Sequence, residues 1–137
     1  MSLDFRRGTL ALIVTVLYCV TAIAGLTEGV DAILKGDYAT ALRELRPLAE
    51  RGNSDAQYRL GRMYEFGRGV PIDKAQALVW LRKSAAQENS YAEQELGVIY
   101  ATGDGVGQDD AQAIAWFRKA AGHGNATGQY NLGLMLT

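Results

Sequence analysis

Cysteine and histidine are nearly absent from this chain of 137 residues: each occurs once, as Cys19 and His123. One cysteine cannot close an intrachain disulfide or supply the thiolates of a structural metal site. His123 has no second histidine with which to share a metal, and it aligns with Gln87 in a turn, so it is expected to be a solvated turn residue rather than a general base. Net charge is also lacking. The 14 basic and 15 acidic residues are interspersed and leave a formal charge of -1, so there is no basic patch to neutralise phosphates, and nucleic-acid binding is not expected. No cofactor or metal is expected either.

Charge is absent altogether over one stretch. Arg6 and Arg7 precede an uncharged run from Gly8 to Thr27, which ends near the small-residue triplet Ala22-Ile23-Ala24. A basic start, an apolar centre and an Ala-x-Ala site occur in the order of a secretory signal peptide, with cleavage expected after Ala24. The alternative is an uncleaved membrane anchor, since about 20 apolar residues suffice to span a bilayer. Either way the remainder is expected outside the cytoplasm, periplasmic or secreted. Cys19 lies within this segment behind the bulky Tyr18, a poor context for a lipid-acceptor cysteine, so a cleaved chain would hold no cysteine. Removal of residues 1–24 takes away Asp4, Arg6 and Arg7 and leaves a mildly acidic product.

What the chain has in abundance is itself. Ala56, Leu60, Gly61, Met63 and Tyr64 return 36 residues later as Ala92, Leu96, Gly97, Ile99 and Tyr100, and again as Gly128, Leu132, Gly133, Met135 and Leu136. A fixed period of this length marks one supersecondary unit, copied because each copy needs a neighbour to cover its apolar face. Within a unit, spacings of three and four put Ala56, Leu60, Met63 and Tyr64 on one face of a first helix, A. Ser54 with Gln57 and Ser90 with Glu93 have the spacing of capping boxes at its start. Gly67-x-Gly69-Val70 and Gly103-x-Gly105-Val106 end it, glycines providing positive φ and the valines folding back as apolar plugs. Asp73 with Gln76 and Asp109 with Gln112 then cap a second helix, B, whose expected stripes are Ala75, Leu78, Leu81, Ala85 and Ala111, Ile114, Phe117, Ala121. Gly61, Gly97 and Gly133 sit inside A helices, where glycine costs about 1 kcal/mol against alanine. Close approach of a facing helix, with a Trp or Tyr ring over the missing side chain, is the expected compensation.

The Ala-x-x-x-Leu-Gly-x-x-Tyr of helix A, the Gly-x-Gly-Val loop, the Asp before helix B, and the runs from Trp80 to Ala86 and Trp116 to Ala121 resemble the Sel1-like repeat, a relative of the tetratricopeptide repeat. The resemblance implies an all-α fold, a right-handed superhelix of antiparallel helical hairpins. Full repeats are expected at 54–89 and 90–125. Residues 25–53 resemble a divergent tetratricopeptide hairpin, with roughly Glu28 to Leu34 as its first helix, and residues 126–137 form a partial repeat or a capping helix. The family usually scaffolds other proteins and implies no active site. Cysteine-rich members are linked to hydrolysis of cell-wall or antibiotic substrates, which keeps a cell-envelope hydrolase, or a regulator of one, as an alternative; the cysteines of those members are missing here.

Two apparent sites dissolve on inspection. Gly103 to Gly107 joins two helices rather than a strand and a helix, as a dinucleotide loop must, and Asp104, Asp109 and Asp110 miss the spacing of a calcium loop. A binding surface remains. Opposite the core face of helix A lie Tyr58, Arg62 and Glu65, with Gln94, Val98 and Ala101, then Tyr130 and Leu134, as their counterparts. These residues either line a groove for a protein or peptide partner or pack against adjacent helices. Leu134, Met135 and Leu136 are apolar enough to admit self-association through the last helix, the structural alternative to a scaffold.

Overall fold

The computed structural model describes residues 2–137, with side chains from Arg6 onward; Met1 and the side chains of residues 2–5, at the start of the segment expected to direct export, lie outside it. Seven helices follow one another: α1 (Ser2–Lys35), α2 (Tyr38–Glu50), α3 (Ser54–Phe66), α4 (Lys74–Ala85), α5 (Ser90–Thr102), α6 (Asp110–Gly122) and α7 (Ala126–Met135). They pair as α1 with α2, α3 with α4 and α5 with α6, and α7 packs on α6. The A positions are thus α1, α3, α5 and α7, and the B positions α2, α4 and α6. This is the expected all-α stack of helical hairpins.

α1 joins two different environments. From Arg6 to Thr21 every residue is exposed, and the helix has a mean hydropathy of 2.3 over its most apolar window, none of it buried. From Ala22 the same helix packs on α2: Ala22, Leu26 and Ile33 lie against the buried cluster of Ala32, Ala41, Leu45, Leu48, Ala49, Ala56, Leu60 and Met63. The packed part therefore starts about a turn and a half before Glu28. A second cluster, Leu81, Ala85, Ala92, Leu96 and Ile99, joins α4 to α5.

Helix starts repeat, but one residue earlier than Ser54 and Ser90 suggest. The caps of the A helices are Asn53, Asn89 and Asn125, whose side chains accept from the amides of Ala56, Ala92 and Gly128. Asp73 and Asp109 cap the B helices as expected, accepting from the amides of Gln76 and Gln112. In the B helices the buried set is Ala77, Leu81, Ser84 and Ala85, then Ala113, Phe117 and Ala120, while Ala75 and Ala111 are exposed. Both A-to-B loops use their second glycine to touch the preceding repeat. A Cβ on Gly69 would stand 2.7 Å from the Tyr38 Cβ, and one on Gly105 2.7 Å from the Lys74 Cβ, both glycines having positive φ. The Lys74 ammonium also reaches Asp104, at 2.6 Å. Val70 and Val106 pack against the two clusters, as their role of plug requires.

Gln57 and Glu93, freed from capping, tie the start of each A helix to the turn after the B helix of the same repeat. The Gln87 amide donates to Gln57 Oε1 and to the Gly52 carbonyl, both at 2.9 Å. One repeat on, His123 Nδ1 lies 2.7 Å from Glu93 Oε2, and Glu93 is 1% exposed. His123 is thus not a freely solvated turn residue but the ionisable counterpart of Gln87. Its hydrogen bond to Glu93 holds the imidazolium above its ordinary range, with Glu88 acting in the same sense, and partial desolvation and Lys119 opposing. A group whose folded pKa is raised stabilises the fold fully below its unfolded value, about 6.5, and loses that contribution as pH rises through the folded value. The melting temperature should accordingly fall as pH is raised above about 6.5 and through the raised pKa of His123. His123→Gln, which keeps a donor but no titration, should flatten that slope, and an unchanged slope would show that the pair is not its source.

Candidate functional site

Two small cavities open along the A helices, and between them they gather most of the surface residues anticipated from the sequence. The first, about 140 Å³, is lined by Ile33, Tyr58, Arg59, Arg62, Met63 and Arg68, from α1, α3 and the loop after it. The second, about 200 Å³, is lined by Val98, Ala101, Thr102, Phe117, Asn131, Leu134 and Met135. Tyr130 is exposed on α7, while Gln94 is half-buried and lines neither cavity.

The first cavity is built around Arg62. Helical spacing puts Tyr58, Arg59, Arg62 and Glu65 on adjoining turns of α3. The Arg62 guanidinium pairs with Glu65 on its own helix at 3.6 Å and with Glu95 on α5, and it lies over the Phe66 ring at 4.7 Å. Glu65 is 7% exposed, so it contributes from beneath rather than as a surface contact. Burial raises the carboxyls of Glu65 and Glu95, and the charge of Arg62 opposes that rise in both. Tyr58, whose phenol is pushed up by burial, packs against Tyr91 of α5 with ring centroids 5.9 Å apart. Half of this side chain's role is therefore packing between repeats, and half is lining the cavity.

Arg59 and Arg68 differ from Arg62. Among the described residues neither has an ion-pair partner; Arg68 stacks on Phe66 at 5.4 Å, and the Nε of Arg59 is enclosed without a hydrogen-bond acceptor. An enclosed donor left unpaired costs roughly 1–3 kcal/mol. Neither residue was singled out on the helical wheel, because Arg59 sits one position beside the chosen face and Arg68 lies in the loop. A comparison of repeats would have drawn attention to both: 36 residues on, Arg59 becomes Glu95 and Arg68 becomes Asp104. The basic character belongs to one repeat alone.

The second cavity is almost wholly apolar, and α7 shows why. Gly61 and Gly97 are pressed by the B helix that follows: a Cβ would come within 2.9 Å of the Leu81 Cγ in the first case and 2.4 Å of the Phe117 ring in the second. The close approach is as expected, but Leu and Phe make it rather than Trp or Tyr. Trp80 and Trp116 instead lie half-buried beside the clusters, with Lys83 and Lys119 each 4.5 Å over a ring. At Gly133 a Cβ would meet nothing within 4 Å. Arg46 and Arg82 donate to the hydroxyls of Tyr64 and Tyr100, whereas at the next equivalent position Leu136 offers Arg118 no hydroxyl.

No group of three or more His, Cys, Asp or Glu side chains able to hold a metal occurs among the described residues. What the surface can do is bind: it offers aromatic, guanidinium and apolar groups in shallow hollows, arranged along stacked helices.

Comparison with known proteins accords with this geometry. The Sel1 repeat model matches residues 54–89 and 90–125, the two units delimited by the period. The crystal structure of c5321, a protective antigen of uropathogenic Escherichia coli strains with an SLR fold, superposes with a TM-score of 0.75 at 40% identity, over 82% of this chain and 25% of that one. A Sel1 repeat protein from Oxalobacter formigenes superposes with a TM-score of 0.65 at 34% identity, over 69% of this chain and 38% of that one. The chain thus spans between a quarter and two fifths of the length of these structural relatives. No curated protein sequence matches it. Two full repeats, their shared caps, loops and staples, and the likeness to solved repeat arrays lead to one conclusion: the chain belongs to the Sel1 repeat family.

Proposed function

We propose that this chain is a non-enzymatic scaffold that works outside the cytoplasm and holds a segment of a partner protein against the face formed by α3, α5 and α7. Sel1 repeats generally mediate protein–protein interaction. The observation that carries the reading for this chain is the fate of its polar side chains. Asn53, Asn89, Asn125, Asp73 and Asp109 are committed to caps, and Gln57, Gln87, Glu93 and His123 to contacts that close each hairpin. The groups left facing open space along the A helices include those around the two cavities and the exposed rings of Phe66, Tyr91 and Tyr130, of the kinds enriched where proteins meet.

Export is attributed to the first part of α1, with cleavage after Ala24. A chain beginning at Gly25 would lose Ala22 from the edge of the first cluster but keep Leu26, Gly29, Ala32 and Ile33 against α2. Intact mass of the protein recovered from the cell envelope should correspond to an N-terminus at Gly25; a mass that includes residues 1–24 would identify α1 as a retained anchor. For binding, the protein purified from its native envelope should capture a reproducible partner, and Tyr58→Ala should weaken capture. No reproducible partner would count against the scaffold.

A second reading rests on the open flank of Gly133 and on exposed Leu134 and Leu136: association of copies through α7. Light scattering distinguishes it, since a monomer over the micromolar range would remove it.

A further inference from the structure

We infer that the cavity between α1 and α3 takes a carboxylate from an acidic peptide segment, with Arg59 and Arg68 as its binding residues. The inference rests on the scaffold reading above and specifies the chemistry of the partner. Three arginines surround the cavity, but Arg62 is already neutralised by Glu65 and Glu95. The uncompensated charge is that of Arg59 and Arg68, which have no counter-ion among the described residues. Two of the guanidinium groups lie over the Phe66 ring, that of Arg62 at 4.7 Å and that of Arg68 at 5.4 Å. Such stacking leaves the in-plane N–H groups of an arginine available to an acceptor.

Complementarity of charge decides the occupant. Guanidinium groups present N–H donors in a fork that matches a carboxylate, and hydrogen bonds between ions are about twice as strong as those between neutral groups. The cavity, about 140 Å³, has room for roughly four or five waters at about 30 Å³ each, enough for one acidic side chain but not for a folded element. Ile33, Tyr58 and Met63 supply apolar wall against which its methylene stem packs. The equivalent positions one repeat on, Glu95 and Asp104, carry the opposite charge. Acidic recognition is therefore confined to the α1–α3 end, because Glu95 and Asp104, already paired with Arg62 and Lys74, stand where Arg59 and Arg68 would recur. The expected ligand carries its carboxylates in a short cluster rather than along its whole length.

The test uses the full-length chain in neutral detergent micelles and three fluorescein-labelled ten-residue peptides, with Glu, Lys or Ser alternating with Ala. Saturable binding of the Glu peptide is expected, weakened by added salt, with little binding of the other two. Arg68→Ala, at an exposed loop position, should weaken it by about tenfold, the effect of losing one charge-assisted contact. Arg59→Gln, which keeps a donor while removing the charge, should also weaken it, with helical circular dichroism unchanged and the melting temperature not lowered. Failure of the Glu peptide to saturate, or equal affinity for both variants and the parent, would overturn the inference. The partner capture described above separates the two levels. Capture lost in Tyr58→Ala but intact in both arginine variants leaves the scaffold standing and removes the acidic site.

Discussion

Gly97→Ala should lower the stability of the array by about 1–3 kcal/mol, an overpacking cost large enough to outweigh the roughly 1 kcal/mol that alanine gains over glycine inside a helix. The added methyl would stand 2.4 Å from Cε1 and 2.5 Å from Cδ1 of Phe117, and a ring held by its own burial cannot bend aside as an aliphatic tip can. α5 and α6 must then separate, which disturbs the interface on which α7 also sits. Gly61→Ala provides an internal scale. Its methyl would meet the Leu81 Cγ at 2.9 Å and the Ala77 carbonyl oxygen at 3.2 Å, milder overlaps than at Gly97, so a smaller loss is expected. Gly133→Ala should have the opposite sign, a gain of up to about 1 kcal/mol, because nothing lies within 4 Å of the new methyl. Thermal melts of the three variants followed by circular dichroism would give the order. If Gly97→Ala melted with the parent, close approach would not be the reason for glycine at these positions; if Gly133→Ala were destabilised, α7 would have a neighbour on that flank.

The glycine series shows what could be read from the sequence and what could not. A glycine repeated every 36 residues inside a helix announces a close contact, but the identity of the contacting side chain depends on how far helix B is rotated about its axis. A rotation that buries Ala77 and Ala113 in place of Ala75 and Ala111 brings Leu81 and Phe117 over the glycines and leaves Trp80 and Trp116 at the side. Periodicity alone fits either stripe, since both satisfy spacings of three and four. The caps illustrate a different limit. Ser-x-x-Gln and Ser-x-x-Glu have the spacing of a box, yet an asparagine immediately upstream competes for the same amides and takes the cap at α3 and α5, as it does at α7. The displaced Gln57 and Glu93 then meet partners 30 residues ahead, a contact set by how the B helix of each hairpin returns beside its A helix and visible only once the hairpin is closed. The candidate surface was legible as a face but not as a charge pattern. Glu65 looks exposed on a wheel and is buried by α5, and Arg59 looks peripheral and lines the cavity.

Leu96→Ala should have the other large effect, about 2–5 kcal/mol, and its distribution along the chain is more informative than its size. Leu96 is fully buried in the cluster that joins α4 to α5, and with Phe117 across Gly97 it stands at the main junction by which α6 and α7 are tied to the first hairpins. Stacked repeats gain stability chiefly from nearest-neighbour interfaces, so damage at one interface is not shared evenly. A chain of this length has about 7–20 kcal/mol in all, at roughly 0.05–0.15 kcal/mol per residue, and a loss of several kcal/mol at the α4–α5 junction is a large part of what holds its C-terminal half. Amide hydrogen exchange of Leu96→Ala should therefore show α5, α6 and α7 opening sooner while α2 and α3 keep most of their protection. Leu60→Ala, which empties the cluster shared by α1, α2 and α3, should show the complementary pattern. Uniform loss of protection in both variants would mean a single cooperative block. The two outcomes bear differently on binding: with separable halves, a ligand in the α1–α3 cavity protects the first hairpins alone, whereas in a single block its stabilisation reaches α7.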